Sequence, residues 1–340
     1  MLSKKSLTRL VVAGFFVLAF TFGLRSLASG PTSAPDYDGK DRGSEVIISV
    51  DKGDTGSIIG RKLADADVVQ SAESFFRVAV ADPRSNRIAP GDHRLERKIP
   101  AKIALDQLLD PKRVVNLIVV RDGAWVNEIS LEMEKIGFGK QDIAQALSKV
   151  SPPAGFNSRS IEGFLYPAFY SVSKGSTAVD VLNEMVARFS FSTQGIQWDS
   201  MKGFTKDQIL TIASLIETEG TPDVHKKVSR VIYNRLSQGM PLQLDSTIHY
   251  ILQRRGEIRV SLNDTKVASR YNTFSRTGLP PGPIGSPTRA SIEAALSPEP
   301  GDWLYFVTVR PGETKFTARY DEFLQFKAEY KKNLAAGLFK

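Results

Sequence analysis

Apolar positions along the chain follow three patterns: one unbroken run near the N-terminus, several short β-branched runs, and a series of helical stripes. The unbroken run extends from Leu10 to Leu24, with Lys4, Lys5 and Arg9 before it and Arg25 closing it. As a helix it covers about 22 Å, against a hydrocarbon core of ~30 Å. Leu7 and Thr8 on one side and Ser26 to Ala28 on the other extend it, with Arg9 and Arg25 snorkelling. Two readings fit, a membrane anchor or a cleaved signal peptide, because "SLAS" places small residues at a cleavage point. The anchor is preferred. In either case the positive charge before the run keeps the short tail cytoplasmic and sends the rest outside. Residues 1–28 are therefore read as cytoplasmic tail and anchor. Residues 29–44, rich in Gly, Pro, Ser and Asp without periodicity, read as a flexible linker.

Beyond the linker the periods change every ten to fifteen residues. "EVIISV" predicts a strand, and "TGSIIGRKLADADVV" and "SAESFFRVAVA" predict two helices. "APGDHRLE" predicts a turn into a short strand, and "PAKIALDQLLD" a third helix, which makes a small α/β unit over 45–112. In the following region, 113–340, "VVNLIVVRD" reads as one buried strand, with helices over 123–136 and 140–149. "IEGFLYPAFYSVS" is strand-like and "AVDVLNEMVARFSF" is an amphipathic helix. The next helix carries "ILTIASLIETEG": Thr205 and Gln208 fit a capping box at its start, and Gly220 a left-handed stop at its end. Thr221 as N-cap and Pro222 at the first position then open another helix. "PLQLDSTIHYILQ" follows as an extended piece entering a helix capped by Asp245 or Ser246. "YNTFSRTGLPPGPIGSP" is an irregular loop, long enough that function is its commonest reason. A helix over 287–296, two strands and a basic helix complete an α+β chain.

One helix end poses a chemical question. Carboxylates favour the positive N-terminus of a helix, yet Glu217 and Glu219 occupy the last turn of an apolar one. At 100° per residue Glu217 falls about 20° from Leu210 and about 40° from Ala213, so it continues the apolar face. Glu219 is rotated by about 200° and points elsewhere, so only Glu217 is expected to face the interior or a cleft. Partial burial and the negative helix end both favour a protonated carboxyl there, as a general acid requires. A solvated charge, or a partner of Lys226 or Arg230, is the plain alternative.

Charge and composition narrow the partners. A net charge of +8 suggests an acidic one: nucleic acid, anionic lipid or bacterial wall polymer. No zinc-finger spacing, aromatic RNA-binding signature or dense basic run is present, so nucleic acid is excluded as the expected partner. There are no cysteines, which removes disulfides, thiol catalysis and cysteine metal sites. His93, His225 and His249 are too scattered to suggest a metal centre.

Five segments carry a resemblance. "EGFLYPAFY", "ASLIETEG", "VIYNRLSQGMPLQLDSTIHY", "YNTFSRTGLPPGPIGSP" and "YFVTV" occur in the order and spacing of the endolytic murein transglycosylases, the YceG-like or MltG family. Over about residues 45–330 the chain resembles that family. The resemblance implies a single-pass membrane protein with a LysM-like subdomain (45–112) before a catalytic domain (113–340). It implies cleavage of the β-1,4 bond between N-acetylmuramic acid and N-acetylglucosamine inside nascent peptidoglycan strands, leaving 1,6-anhydro-N-acetylmuramic acid ends. The family's catalytic Glu falls in the "ASLIE" block, hence on Glu217. No water, metal or cofactor is required. Peptidoglycan strands are the implied substrate, with peptidoglycan synthases or division proteins as possible partners.

Gln243, Asp245 and Thr247 offer amide, carboxylate and hydroxyl groups for N-acetyl and sugar hydroxyl contacts; Asp245 is alternatively a helix cap. Tyr271, Asn272 and Thr273 open the Pro-Gly loop, where an aromatic ring stacks on a sugar, or they are turn chemistry. Asn234 and Arg235 are expected to hold the loop. Glu162 is a candidate second carboxylate beside the cleft or a structural ion pair. The chain departs from the family's pattern at Ala168 and Phe169, at Leu244 and Ser246, at Thr314, and at Phe323 and Leu324. Two other functions compete: a non-catalytic scaffold that binds wall glycan, and a glycan hydrolase using Asp245 or Glu162 as second carboxylate.

Overall fold

A computed structural model describes residues 34–51, 53–173, 175–255 and 260–339. The expected anchor at 10–24 lies outside these residues. Among the described residues no helix is long and apolar enough to cross a membrane. The chain divides into two compact units, residues 1–115 and 116–340.

In the first unit, strands β1 (Glu45–Val50), β2 (Gly91–Glu96) and β3 (Val114–Val115) form an antiparallel sheet in that order. Register runs from Glu45 opposite Glu96 to Val50 opposite Gly91. The period of two puts Ile48 and Val50 into the core and leaves Ile47 outside. Helices α1 (Gly56–Asp65), α2 (Ala72–Ala81) and α3 (Ala101–Leu109) pack over them, burying Leu63, Phe75, Leu105 and Leu108. Thr55 and Ser71 cap the first two helices from their side chains.

The helix α3 begins after Pro100, which offers no side-chain cap. Asp36 supplies it: its carboxylate accepts from the Ala101 N–H at 3.1 Å. Ser71 Oγ also donates to the Pro35 carbonyl, and Gly43 N to that of Arg97. Residues 35–43 are thus fastened to the unit, which corrects the reading of 29–44 as flexible linker throughout.

The expected single strand "VVNLIVVRD" is split. Asn116 adopts φ +56, so β3 closes the first sheet and β4 (Leu117–Val120) pairs with β5 (Ala168–Ser171) in the second unit. The unit boundary therefore falls after Val115 rather than at 112.

The second unit is built around one helix. α7 (Lys206–Glu219) buries every residue from Ile209 to Ile216, and the expected capping box of Thr205 and Gln208 opens it. Burial of each Ile or Leu contributes about 1.5–3 kcal/mol, which offsets the cost of carrying carboxylates on its last turn. Around it pack α4 (Val126–Lys135), α5 (Lys140–Lys149), α6 (Ala178–Ser192), α8 (His225–Ser237), α9 (Asp245–Leu252) and α10 (Arg289–Leu296). A hairpin of β6 (Tyr305–Arg310) and β7 (Glu313–Thr317) precedes α11 (Tyr320–Ala335). The segment 161–167, read as strand-like, is turn, with only β5 extended.

Two helix boundaries differ from expectation. Gly220 is extended (φ −167), not left-handed. It is needed for closeness: a Cβ there would lie 2.7 Å from Val224 Cγ2. Thr221 and Pro222 form a turn, with Val224 N donating to the Thr221 carbonyl, and α8 starts only at His225.

Candidate active site

Both carboxylates on the final turn of α7 are taken in by the protein, on different sides. This corrects the expectation that only Glu217 finds a cleft.

Glu217 faces the N-terminus of α10. Its Oε2 accepts from the Thr288 N–H at 2.8 Å and the Thr288 hydroxyl at 2.7 Å, and from the Ser291 hydroxyl. Thr288 is the N-cap of α10, so the carboxylate meets the positive end of a helix as well as three donors. Oε1 takes no hydrogen bond among the described residues. Behind Ser291, its Oγ lies 3.3 Å from His225 Nδ1, and His225 Nε2 donates to the Gly220 carbonyl at 2.9 Å. That second bond requires the proton on Nε2, which leaves Nδ1 an acceptor in the neutral ring. Thr288 Oγ1 also lies 3.3 Å from Ser291 Oγ, so the Ser291 proton has three claimants.

The other wall is the turn between β4 and α4. A Cβ placed on Gly123 would lie 3.6 Å from Glu217 Cγ. Gly123 N donates to the Ser286 carbonyl at 2.8 Å and Ser286 N to that of Ala124 at 2.9 Å. Gly285 lies between these bonds at φ +149, and any Cβ there would sit 2.4 Å from the Gly123 oxygen. Only glycine lets the Pro-Gly loop run against this turn. Ile284 N donates to Ser214 Oγ of α7, which ties the loop to the helix bearing Glu217.

Continuing along that wall, Arg255 donates to the Gly123 carbonyl at 2.8 Å, pairs with Glu128 and lies 4.2 Å above the Trp125 ring. Trp125 meets Tyr250 edge-on, and Tyr250 packs on Tyr271 at 5.2 Å. Glu162 is buried beneath them. It accepts from the Val126 N–H of α4 and the Tyr250 hydroxyl, and burial pushes its carboxyl up to about 7 against those two bonds. Its partners make it part of the wall.

Glu219 faces α9. Ser246 Oγ donates to its Oε1 at 2.5 Å, and burial, with the Asp245 charge nearby, pushes the carboxyl up to about 7. Ser246 is one of the departures from the family's pattern, and here it supplies the hydroxyl. Asp245 is the first residue of α9 and caps nothing; it is exposed, as is Gln243, whose backbone is left-handed at φ +53.

The remaining expected glycan contacts fall inside the loop framework. Thr247 and Thr273 are buried and bond each other at 2.9 Å, with Thr247 donating to Leu244 O and Thr273 accepting from Leu244 N. Asn272, also buried, donates to the carbonyls of Thr265 and Val267 and accepts from Phe274 N. These three are corrected from substrate contacts to loop-forming residues, because their hydrogen-bonding groups are already used. Arg235 donates to the Pro241, Leu242 and Leu304 carbonyls, which lie outside the Pro-Gly loop it was expected to hold. Asn234 donates to those of Gly301 and Trp303. Thr288, Ser291, His225 and Arg255 escaped the sequence reading. The one local signal was Thr288, a hydroxyl at the start of a helical stripe.

Among the described residues no group of His, Asp and Glu is arranged to hold a metal.

The profile of the YceG-like family matches residues 48–329. The chain is 29% identical over 312 residues to a protein of Bacillus subtilis named endolytic murein transglycosylase, with 86% of each chain covered. A protein of the same name from Streptococcus pneumoniae strain R6 is 36% identical over 155 residues, 43% of this chain and 28% of that one. The crystal structure of a YceG-like protein from Listeria monocytogenes aligns with a TM-score of 0.57 at 25% identity, covering 83% of this chain and 98% of the other.

Proposed function

The chain belongs to the YceG-like family, and from that premise we propose that it is an endolytic murein transglycosylase, a lyase acting on peptidoglycan. It cleaves the β-1,4 bond between N-acetylmuramic acid and N-acetylglucosamine within a strand and leaves a 1,6-anhydro end. The observation that carries this reading is the Glu217 carboxyl, with Oε2 held by the N-terminus of α10 and Oε1 unclaimed. With Oε2 engaged by three donors, Oε1 is the oxygen left to exchange a proton with substrate.

The reaction follows from that one group. Glu217 Oε1–H protonates the glycosidic oxygen, and the C1–O bond breaks with its electron pair leaving on the glucosamine 4-oxygen. The muramic acid 6-hydroxyl oxygen attacks C1, and its proton returns to Glu217. Proton, bond and charge are restored without water, where ordinary glycosidases use a second carboxyl as nucleophile or base. We assign sugar contacts to Gln243 and Asp245, supported by their exposure, and to Tyr271 beside Tyr250.

In this reading residues 10–24 anchor the enzyme in the cell membrane with the N-terminus cytoplasmic. The β1–α1–α2–β2 order of the first unit supports a LysM-like subdomain. Cleavage of nascent strands ends glycan elongation, which places the enzyme beside peptidoglycan synthases or division proteins.

Digestion of purified glycan strands by the full-length chain, followed by mass analysis, tests the proposal. Anhydro-ended muropeptides, lighter by one water, are expected. Reducing ends convert the assignment to a hydrolase, and binding without cleavage to a glycan-binding scaffold.

A further inference from the structure

Arg270 and Arg276, at the start of the Pro-Gly loop, take no part in the chemistry described so far. Both are exposed, and neither makes a hydrogen bond or ion pair among the described residues. They line one cavity of about 160 Å³, with Asn272, Thr273, Leu279 and Pro280 among its other walls. No carboxylate of the described residues borders it.

The framework under the two cations is fixed. Asn272 is buried and spends its amide on the Thr265 and Val267 carbonyls and the Phe274 N–H. Thr273, also buried, is met by Leu244 N at its hydroxyl and by Gln243 N at its carbonyl, both at 3.0 Å. Further along, Thr277 bridges to Pro241, and the buried ring of Pro280 restricts the backbone. Two like charges gathered at one small cavity repel each other, and an anion between them removes that cost.

The size and walls of the cavity say what kind of anion fits. Pockets for whole small molecules run from about 300 Å³ upward, so this one takes an end group of something larger. Guanidinium forks match carboxylate and phosphate alike. Leu279 and Pro280 add apolar surface, which a peptide carboxylate can meet with the carbon atoms behind it and a phosphate cannot. Gln243 and Tyr271, assigned above to sugar, flank the place: Gln243 through its bond to Thr273, Tyr271 between Arg270 and Asn272 in the chain.

We propose that Arg270 and Arg276 form a carboxylate subsite that holds the free end of a peptide stem on the murein strand. The proposal rests on the transglycosylase reading for the identity of the strand and deepens it, since it names stem-bearing strands rather than bare glycan as the substrate. An enzyme that cuts inside a strand meets a stem beside the bond it cleaves, whereas a lipid phosphate occurs only at a strand's end. The pair touches no reacting atom. Its contribution is to binding, equal in the ground and transition states, and therefore belongs to KM rather than kcat.

The test uses the full-length chain and purified murein strands whose stem carboxyls are either free or capped as methylamides. Affinity is read in the Glu217→Gln background, where cleavage is slow, and release of anhydro ends in the otherwise wild-type chain. Free-stem strands should bind about tenfold more tightly than capped ones, the scale of one charge-assisted contact. Arg270→Gln with Arg276→Gln should erase that difference. KM for free-stem strands then rises about tenfold, while kcat, Tm and the handling of capped strands stay close to wild type. Arg270→Lys with Arg276→Lys should recover part of the gap, because it keeps the charge and loses the fork. Equal affinity for free and capped strands overturns the proposal. So does a double Gln variant that weakens both alike, or that loses kcat or Tm instead of KM. Loss of binding to vesicles containing anionic phospholipid, with strand binding unchanged, makes this a lipid phosphate site and also overturns it. If the chain makes no anhydro ends yet prefers free stems through the two arginines, the transglycosylase reading fails and the subsite stands; if it makes them with the same KM from both kinds of strand, only the subsite fails.

Discussion

On the α10 side of the last turn of α7 three donors converge on Glu217, whereas on the α9 side a single hydroxyl meets Glu219. The two residues are one apart on the same helix and differ in what covers them. Glu219 is desolvated, compensated only by hydrogen bonding from Ser246, and its carboxyl is pushed up to about 7. Glu162, in the aromatic wall, is pushed up to about 7 for the same reason. A strongly held proton is a signature that often marks active sites, and structural networks produce it too. The two carboxyls pushed up to about 7 are each met inside the framework, Glu219 by Ser246 and Glu162 by Tyr250 and the start of α4. Glu217 has one oxygen anchored and one open. Position, rather than proton affinity alone, separates the proposed acid from its neighbours.

The strongest way to break this comparison is to remove each charge with the shape kept. Glu217→Gln should cut kcat by about 10³-fold, within the 10²–10⁴ range for loss of a general acid–base. Glu219→Gln should leave kcat within about threefold, because an amide still accepts the Ser246 proton. Rates of anhydro-muropeptide release from the two variants decide the matter. An inactive Glu219→Gln beside an active Glu217→Gln would move the chemistry to the other side of the helix.

How much of this arrangement sequence reveals depends on how local its causes are. The capping box of Thr205 and Gln208, the caps Thr55 and Ser71, and the period of two in β1 involve neighbours, and all are readable from spacing. Features set by distant partners are not. Thr288 and Ser291 stand 71 and 74 residues from Glu217, and Asp36 caps a helix 65 residues away. The extended Gly220 answers to Val224 packing against it, and no local rule distinguishes that from a left-handed stop. Polar residues in an irregular loop mislead in another way. Thr247, Asn272 and Thr273 look like sugar contacts, yet such side chains bond nearby backbone readily, and here they have done so. The wall turn is an intermediate case: Asp-Gly is a plain turn signal, but only the fold brings Gly123 beside Glu217.

The same pair of environments predicts a pH dependence of stability. Glu219 has an ordinary value near 4.5 when unfolded and about 7 when folded, so between those pH values the native state holds more protons. Stability must then fall as pH rises across that window, be fully present below it and lost above it. Glu162 contributes in the same direction. Glu219→Gln removes one of the two contributions. Above pH 7 the variant should exceed wild type by about 3 kcal/mol, with the gap closing towards pH 4.5. Chemical denaturation at several pH values measures this directly, and parallel curves would mean that the Glu219 carboxyl is solvated after all.

The smallest expected effect sharpens the view of Glu217. Ser291 has one proton and three acceptors in reach, Glu217 Oε2, His225 Nδ1 and Thr288 Oγ1. When Glu217 is ionised the charged acceptor takes that proton, since hydrogen bonds to charge are roughly twice as strong as neutral ones. When Glu217 is protonated on Oε1, the balance between carbonyl oxygen and imidazole is closer. Ser291→Ala removes this adjustable donor and leaves the two donors of Thr288 in place. Orientation of Oε1 then relies on fewer contacts. The expected loss is about tenfold in kcat, the worth of one hydrogen bond near 1.4 kcal/mol, with product ends unchanged. His225→Phe fills the same buried space without an acceptor and removes the imidazole's claim on the Ser291 proton, so it should cost less than Ser291→Ala. If His225→Phe cost more, the imidazole would be the group that matters, and the contrast between the two sides of α7 would need to include a second titrating partner.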